Sequence, residues 1–407
     1  MQLGYYIAKK LSLSKQHSFT KTITVLAIAA VSISICVVIL AFGILLGFKQ
    51  EIREKVRGYA GDISITRYQL ASGNETNMFP IDSSFLRNAS QEKHISSIYP
   101  YINKAGIIKS DSTLEGVILK GFPANYNFSF YEKHLKRGEI PKYTDSVDSY
   151  EIMLSEYTAS IMQVDTGDKL HLYFIDNAEV KRRRPNVVGI FNTGLQEFDK
   201  QFAVAHLRML QRLQGAKGYR VAGGYEVNLD QHQNTGSAQT SLSTYLDYNY
   251  AVNSVEELYP TIFQWLEIVD TNVIVIIILM FIVAIINIIT VLLILIIDRI
   301  PMIGLLKSMG ANSRKIMSIF NWQGFFILSG GLLVGNVIAL TTAFLQLKYK
   351  IIGLPADTYY MDAVPFHLPL KYLFFINLGA LIVCFVFTYI PVRLINRIGA
   401  TQSINFR

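Results

Sequence analysis

The chain has 407 residues, 51% hydrophobic and 17% charged, with a formal net charge of +8. Typical soluble domains carry roughly 25% charged residues, so a wholly water-soluble protein is excluded. Nucleic-acid binding is not expected either: residues 49–266 hold 24 Lys and Arg against 25 Asp and Glu, and the positive surplus lies beside apolar runs.

Residues 1–21 carry Lys9, Lys10, Lys15 and Lys21 without an acid, interleaved with Tyr5, Tyr6, Ile7 and Leu11. They read as an amphipathic elbow in the headgroup plane or as a solvated leader. No cleaved signal peptide is expected. Four runs then lack Asp, Glu, Lys and Arg altogether: Thr22–Phe48, Thr271–Ile297, Ile316–Leu347 and Tyr372–Val392. Each is long enough for the roughly 20 residues needed to cross a bilayer. The expected spans are 22–48, 267–297, 316–347 and 372–392, separated by a 49–266 domain, a 298–315 connector and a 348–371 loop, with a 393–407 tail. Basic flanks at 1–21, 298–315 and 393–407 place both termini and the connector in the cytoplasm and the large domain outside. Lys49, Arg53, Lys55 and Arg57 disagree locally, but large domains translocate largely regardless of charge.

Phe48, Ile52 and Val56 continue the first helical pattern outward, and Val255, Leu258, Ile262 and Leu266 lead into the second span. Both approaches read as helical stalks, with Pro260 starting or kinking the second. Between them, strands are expected at Asp62–Tyr68, Thr113–Phe122, Lys169–Ile175, Asn186–Phe191, Gln201–His206 and Gly224–Leu229. Helices are expected at Asp82–Ala89, Ser155–Met162 and Leu207–Leu213, and loops at Ser72–Met78 and Asp230–Ala238. This mixture without a βαβ beat indicates an α+β domain.

Recognisable catalytic chemistry is absent from the sequence. The chain contains no Gly-Lys dipeptide, hence no phosphate-binding loop of the Walker A type, and no nucleophile elbow. Its seven histidines have no metal spacing, and His134 with Glu132 reads as a solvated helix face. Cys36 and Cys384 fall inside spans, so no disulfide is expected. Within the spans no ionisable residue lies at bilayer depth, which disfavours an ion-coupled transporter.

The most informative stretch is D-R-I-P-M-I-G-L-L-K-S-M-G-A-N-S-R-K-I-M-S-I-F-N-W-Q-G, residues 298–324. It reads as a short helix with an apolar face of Ile303, Leu306 and Met309, ended by Gly310, followed by a helix capped by Asn312 or Ser313. That shape suits an element docking into a groove on another protein, or a plain connector. Gly43 with Gly47 and Gly331 with Gly335 are small-xxx-small pairs that permit close helix packing in lipid.

The stretch resembles the coupling segment of FtsX-like permeases, matching it at Ile303, Gly304, Leu306, Lys307, Gly310, Ala311, Ile316, Phe320 and Gly324. Met302 and Gln323 stand where that pattern has Glu. Residues 6–52, V-D-T-G-D-K-L (164–170), V-V-G-I-F-N-T-G-L-Q-E-F-D (187–199) and L-P-A-D-T-Y-Y-M-D-A-V-P-F-H-L (354–368) resemble the lipoprotein-releasing (LolC/LolE-type) members. The ending 400–407 is a degraded form of that family's tail.

The resemblance implies a type VII ABC transporter architecture. A four-helix, all-α transmembrane permease in the bacterial inner membrane would carry a large α+β, MacB-like periplasmic domain between spans 1 and 2, with an FtsX-like domain over about 267–407. It implies no enzyme activity, metal or cofactor in this chain, ATP being bound by a separate ATPase that meets Ile303, Gly304, Leu306, Lys307, Met309 and Gly310. A second copy or a paralogue would complete a lipid-facing cavity, and a triacylated lipoprotein would pass to a periplasmic carrier. The carrier-docking position corresponds to Asp176–Pro185, with Lys181, Arg182, Arg183, Arg184 and Pro185, a segment that also reads as a merely solvated turn. Competing readings are a MacB-like efflux permease, an FtsX-like regulator of a cell-wall hydrolase, and a receptor without transport. The 222 residues between the first two charge-free runs, Lys49–Asp270, argue against the hydrolase regulator.

Overall fold

The computed structural model describes residues 18–68, 76–110, 113–144, 149–176, 179–213, 220–355 and 359–393. The 1–17 part of the elbow, the tail beyond Arg393 and most of the 72–78 loop lie outside them. The chain divides into a mixed α/β unit, Glu51–Gln264 with Leu354–Asp362, and a helical unit, Met1–Gln50 with Trp265–Gly353 and Ala363–Arg407.

In chain order the elements begin with α1 (Ser18–Ala60), β1 (Ile63–Arg67), β2 (Phe79–Pro80), α2 (Ser83–Ala89), β3 (Ile95–Lys109), β4 (Leu114–Phe122), α3 (Ser129–His134), β5 (Leu135–Gly138) and β6 (Glu151–Ser155). Then come α4 (Glu156–Met162), β7 (His171–Asp176), β8 (Glu179–Arg183), β9 (Asn186–Phe191), α5 (Gln196–Asp199), β10 (Phe202–His206), α6 (Leu207–Leu213), β11 (Val221–Ala222) and β12 (Gly224–Leu229). The last are α7 (Thr235–Thr244), β13 (Tyr250–Ser254), α8 (Val255–Leu258), α9 (Pro260–Asp298), α10 (Ile300–Ser308), α11 (Ser313–Tyr349) and α12 (Leu370–Val392).

The mixed unit is built on one sheet of order β13-β1-β12-β3-β4-β10-β6-β9-β5, with the β7–β8 hairpin attached to β3. Only β4–β10 and β6–β9 pair in parallel among the described strands. The 15-residue β3 is its spine. The first half pairs with β12 up to Tyr101, and from Ile102 the strand pairs with β4. Pro100 argues against a central strand, because it has no N–H to give a ladder. It falls just before this exchange of partners, which is why the sequence hides the longest strand.

Two buried apolar clusters flank the spine, one around Ile102, Leu119, Leu172 and Leu210, the other around Ile63, Phe85, Tyr225 and Leu242. The Asp82 and Ser155 caps form as expected, each accepting from helix backbone N–H groups. Several segments correct the sequence reading. Strands β2, β3, β5, β6, β8, β11 and β13 were not anticipated. Residues 235–244, expected to be partly loop, are helix α7. Its Ala238 and Leu242 are buried, and hydroxyls of Thr240, Ser243 and Thr244 bond back to carbonyls four residues earlier. Tertiary burial there overrides weak helix propensity.

The central polar feature of this unit is a buried ion pair. Lys120 Nζ on β4 lies 2.6 Å from Glu226 Oε2 on β12, and both residues are at most 3% exposed. Lys120 also donates to the Tyr59 carbonyl at 2.5 Å, and the Tyr126 hydroxyl donates to Glu226 Oε1 at 2.9 Å. The ammonium sits 4.7 Å from the Tyr59 ring centroid and 5.1 Å from those of Tyr101 and Phe122. Burial holds the Tyr126 hydroxyl well above its ordinary pKa and pushes Tyr101 up to about 12, so both stay protonated. A cation placed at the last carbonyls of α1 also complements the helix dipole. Gly61 then turns the chain out of the helix with φ +76°, its N–H donating to Arg57 O at 2.7 Å.

In the helical unit α1, α9, α11 and α12 are each long and apolar enough to cross a membrane. Pro260 is the first residue of α9, so it starts that helix rather than kinking it. Ala27, Val31, Ile35 and Ile39 form the buried stripe of α1: the last three meet Ala284, Ile288 and Leu292 of α9 and Leu328 and Leu332 of α11, and Ala27 meets Leu295 of α9 and Ile327 of α11. Asn336 and Asn377 exchange amide hydrogen bonds of 2.6 and 3.0 Å between α11 and α12. Each also donates to a carbonyl of its own helix, so the polar groups are satisfied where no water would serve them.

Replacing Lys120 by Met leaves Glu226 buried without its cation. We expect a loss of about 3–5 kcal/mol in chemical unfolding of the mixed unit, partly recovered by adding Glu226→Gln. An unchanged unfolding midpoint for Lys120→Met would show the pair to be dispensable.

Candidate functional site

The connector between α9 and α11 folds as its sequence dictates. α10 ends in a double closure: Gly310 N donates to Lys307 O at 3.0 Å and Ala311 N to Leu306 O at 2.9 Å, with Gly310 at φ +82°. Asn312 then caps α11, its side chain accepting from Arg314 N at 3.1 Å. With both ends fixed, the rotation of α10 is fixed too.

That rotation corrects the expected docking face. Ile303 is fully buried, in a cluster with Ile296, Ile316, Phe320 and Val392, and Leu306 packs on the same cluster. Gly304 is also buried and Lys307 half-buried. The exposed apolar side chains are Leu305 at 61% and Met309 at 75%. Thus Met309 of the expected triad is exposed, Ile303 is buried, and Leu305, outside the triad, is exposed instead. Ile-Gly-Leu-Leu is apolar on successive positions, so periodicity alone does not choose the face.

The two glycine pairs do different work. A Cβ on Gly331 would lie 2.5 Å from Val31 Cγ1, and one on Gly335 would lie 2.7 Å from the Ser32 carbonyl oxygen. This pair lets α11 pack closely on α1. A Cβ on Gly43 would lie 2.1 Å from Phe366 Cε2, and one on Gly47 would lie 2.9 Å from the Phe366 and His367 backbone nitrogens. His367 N donates to Gly43 O at 3.0 Å. The second pair therefore receives an extended segment before α12 rather than another helix, a correction to the helix-packing expectation for Gly43 and Gly47.

Residues 354–362, part of the expected 348–371 periplasmic loop, belong to the mixed unit. Met361 is buried and the Tyr360 carbonyl accepts from Lys55 Nζ of α1 at 2.6 Å. Beside it, the turn in N-T-G-L-Q-E-F-D is held by buried Asp199, which accepts from Thr193 Oγ1 at 2.9 Å and Gly194 N at 3.1 Å. Burial raises the Asp199 pKa and these bonds act the other way. The recognised stretches 187–199 and 354–362 thus come together on α1.

The basic segment 179–183 is strand β8, not a loop; residues 177–178 lie outside the described ones. Lys181 Nζ donates to Leu213 O at 2.8 Å, Arg182 Nη2 lies 2.6 Å from His171 Nδ1, and Pro185 is buried. Of the five expected contact residues, Arg182 and Arg184 are the exposed ones, Arg183 is half-buried, and Lys181 and Pro185 are engaged within the unit. β8 pairs only with β7 among the described strands, and charges on such an edge also deter unwanted strand pairing.

Comparison with known proteins gives this arrangement a family. A family model described as MacB-like periplasmic core domain matches residues 24–245, and one described as FtsX-like permease C-terminal matches 274–400. The chain belongs to the family of permeases that join a MacB-like periplasmic core to an FtsX-like membrane domain. Such proteins are permease subunits of ABC transporters, not enzymes. The lipoprotein-releasing system transmembrane protein LolC of Xylella fastidiosa (strain 9a5c) is 20% identical over 412 residues. That of Neisseria meningitidis serogroup B is 22% identical over 422 residues, and both alignments cover 97% of this chain and 97% of the relative. Among solved structures, the periplasmic region of MacB from Actinobacillus actinomycetemcomitans is similar at 18% identity and TM-score 0.36, over 52% of this chain and 98% of that one.

Gly335→Leu should destabilise the helical unit by about 1–3 kcal/mol or more through overpacking. Gly379 has open space around it, so Gly379→Leu is the matched control. Denaturant titration of the two purified variants checks this; equal stability would remove the α1–α11 seam.

Proposed function

We propose that this chain is an inner-membrane permease subunit that, with a second copy or a paralogue and a separate ATPase, extracts lipoproteins and passes them to a periplasmic carrier. The observation that carries the reading is the full-length correspondence with LolC proteins, 97% of both chains. The sequence has no Walker A loop of its own, so hydrolysis falls to a partner. The basic flanks at 1–21, 298–315 and 393–407 support a cytoplasmic position for the connector and both termini.

On this reading, Leu305 and Met309 project from α10 into the ATPase, and Ile303 and Leu306 hold the projection rigid from behind. The α9 side chains Ile274, Ile278, Leu279, Ile282 and Ile286, each about half exposed, face lipid or the second permease. Arg182 and Arg184 are the cations left for a carrier, and they would act mainly on association rate, weakening with salt.

A MacB-like efflux permease is the second reading, favoured by the periplasmic-core match. The discriminating experiment reconstitutes the chain with its ATPase and partner permease in vesicles bearing a triacylated lipoprotein. ATP-dependent transfer of that lipoprotein to soluble carrier supports release; full ATPase turnover without transfer supports efflux or mechanical signalling.

Leu305→Asp should cut ATPase co-purification by tenfold or more while leaving the fold intact, since it puts an unpaired charge into a desolvated contact. Ile303→Asp should instead lower permease stability itself. Wild-type recovery of the ATPase with Leu305→Asp would show that α10 docks by another face.

A further inference from the structure

A groove of about 550 Å³ runs between α11 and α12 at the end of the bundle that carries the 299–312 connector. Its composition changes along its length. Arg314 lines it in the first turn of α11, Asn321 lies two turns further, and Trp322, Phe325 and Phe385 form the far wall, with exposed Tyr389 on the α12 side. At about 1.5 Å per residue, Arg314 to Phe325 spans about 16 Å, close to one leaflet of a bilayer whose hydrocarbon is about 30 Å thick. Among the described residues no carboxylate pairs with Arg314, and Asn321 Oδ1 is enclosed without a hydrogen-bond partner. Cation outermost, unanswered amide about 10 Å deeper and aromatic rings beyond repeat the order of a lipid: phosphate, ester, acyl chain.

We propose that this groove binds one anionic phospholipid, its phosphate on Arg314, its ester groups at Asn321 and an acyl chain against Trp322, Phe325 and Phe385. The order of cation, amide and aromatic rings along one groove matches phosphate, ester and acyl chain in sequence, which favours a lipid over a protein helix. Such a lipid would fill the seam between α11 and α12 beside the capped turn that sets α10, so membrane composition would bear on how firmly the connector is held.

Trp322 makes the proposal measurable, because the chain has only two tryptophans and the other is Trp265. Trp265→Phe leaves Trp322 as the sole emitter. The full-length variant is reconstituted in phosphatidylcholine discs doped with a small fraction of lipid brominated on the acyl chain, as either phosphatidylglycerol or phosphatidylcholine. The expected result is quenching by brominated phosphatidylglycerol at roughly one-fifth the doping that brominated phosphatidylcholine needs, the preference one cation near a headgroup confers. Arg314→Gln should abolish that preference and Arg314→Lys keep most of it; both leave the Asn312 cap in place. Equal quenching by the two lipids, no quenching by either because protein covers the groove, or a preference that survives Arg314→Gln would each overturn the assignment.

Discussion

One face of α1 must stay covered from Ala27 to Val56, and much of the rest of the protein is arranged to cover it. In the helical unit, Gly331 and Gly335 bring α11 against Val31, Ser32 and Ile35, Phe366 and His367 lie on Gly43 and Gly47, and Lys49 pairs with Asp270 at 2.5 Å. In the mixed unit, Ile52 and Val56 are fully buried, Phe130 packs on Gly58, and Lys120 caps the Tyr59 carbonyl. Each fully buried aliphatic side chain contributes about 1.5–3 kcal/mol. α1 is one unbroken 43-residue helix, with the boundary between the two units falling inside it.

This constraint gives a physical sense to a permease without chemistry of its own. A helix is stiff because each turn is bonded to the next, and a bend needs a proline, a bulge or an inserted group. No proline occurs in Ser18–Ala60. The helix carries buried side chains toward both of its ends, among them Val31 and Ile35 and then Ile52 and Val56. The Lys120–Glu226 pair matters because it fixes the helix end to two strands at once, and a buried pair of this kind tolerates the loss of neither partner.

Much of this was legible in the residues. Charge-free runs gave the four helices, and Asp82, Ser155, Gly310 and Asn312 marked turns and caps whose chemistry is local. What escaped depends on tertiary partners. β3 conceals itself behind Pro100, α7 has a Ser- and Thr-rich surface, and β8 carries four charges in five residues. At the site, sequence located α10 but chose Ile303 over Leu305, because only the packing of Ile296, Ile316 and Phe320 decides which side of a short apolar helix is inside. Lone polar residues were the unused signal. Lys120 and Glu226 interrupt apolar strands, and Asn336 and Asn377 interrupt apolar spans, so each needed a partner from elsewhere.

The central claim is that the proposed transport needs α1 to be one unbroken helix. Inserting a short Gly-Ser linker between Gln50 and Glu51 tests it most directly, with ATPase turnover and lipoprotein transfer measured on the same reconstituted transporter. The account predicts that turnover persists and transfer is lost; transfer at the wild-type rate through the flexible linker would contradict it.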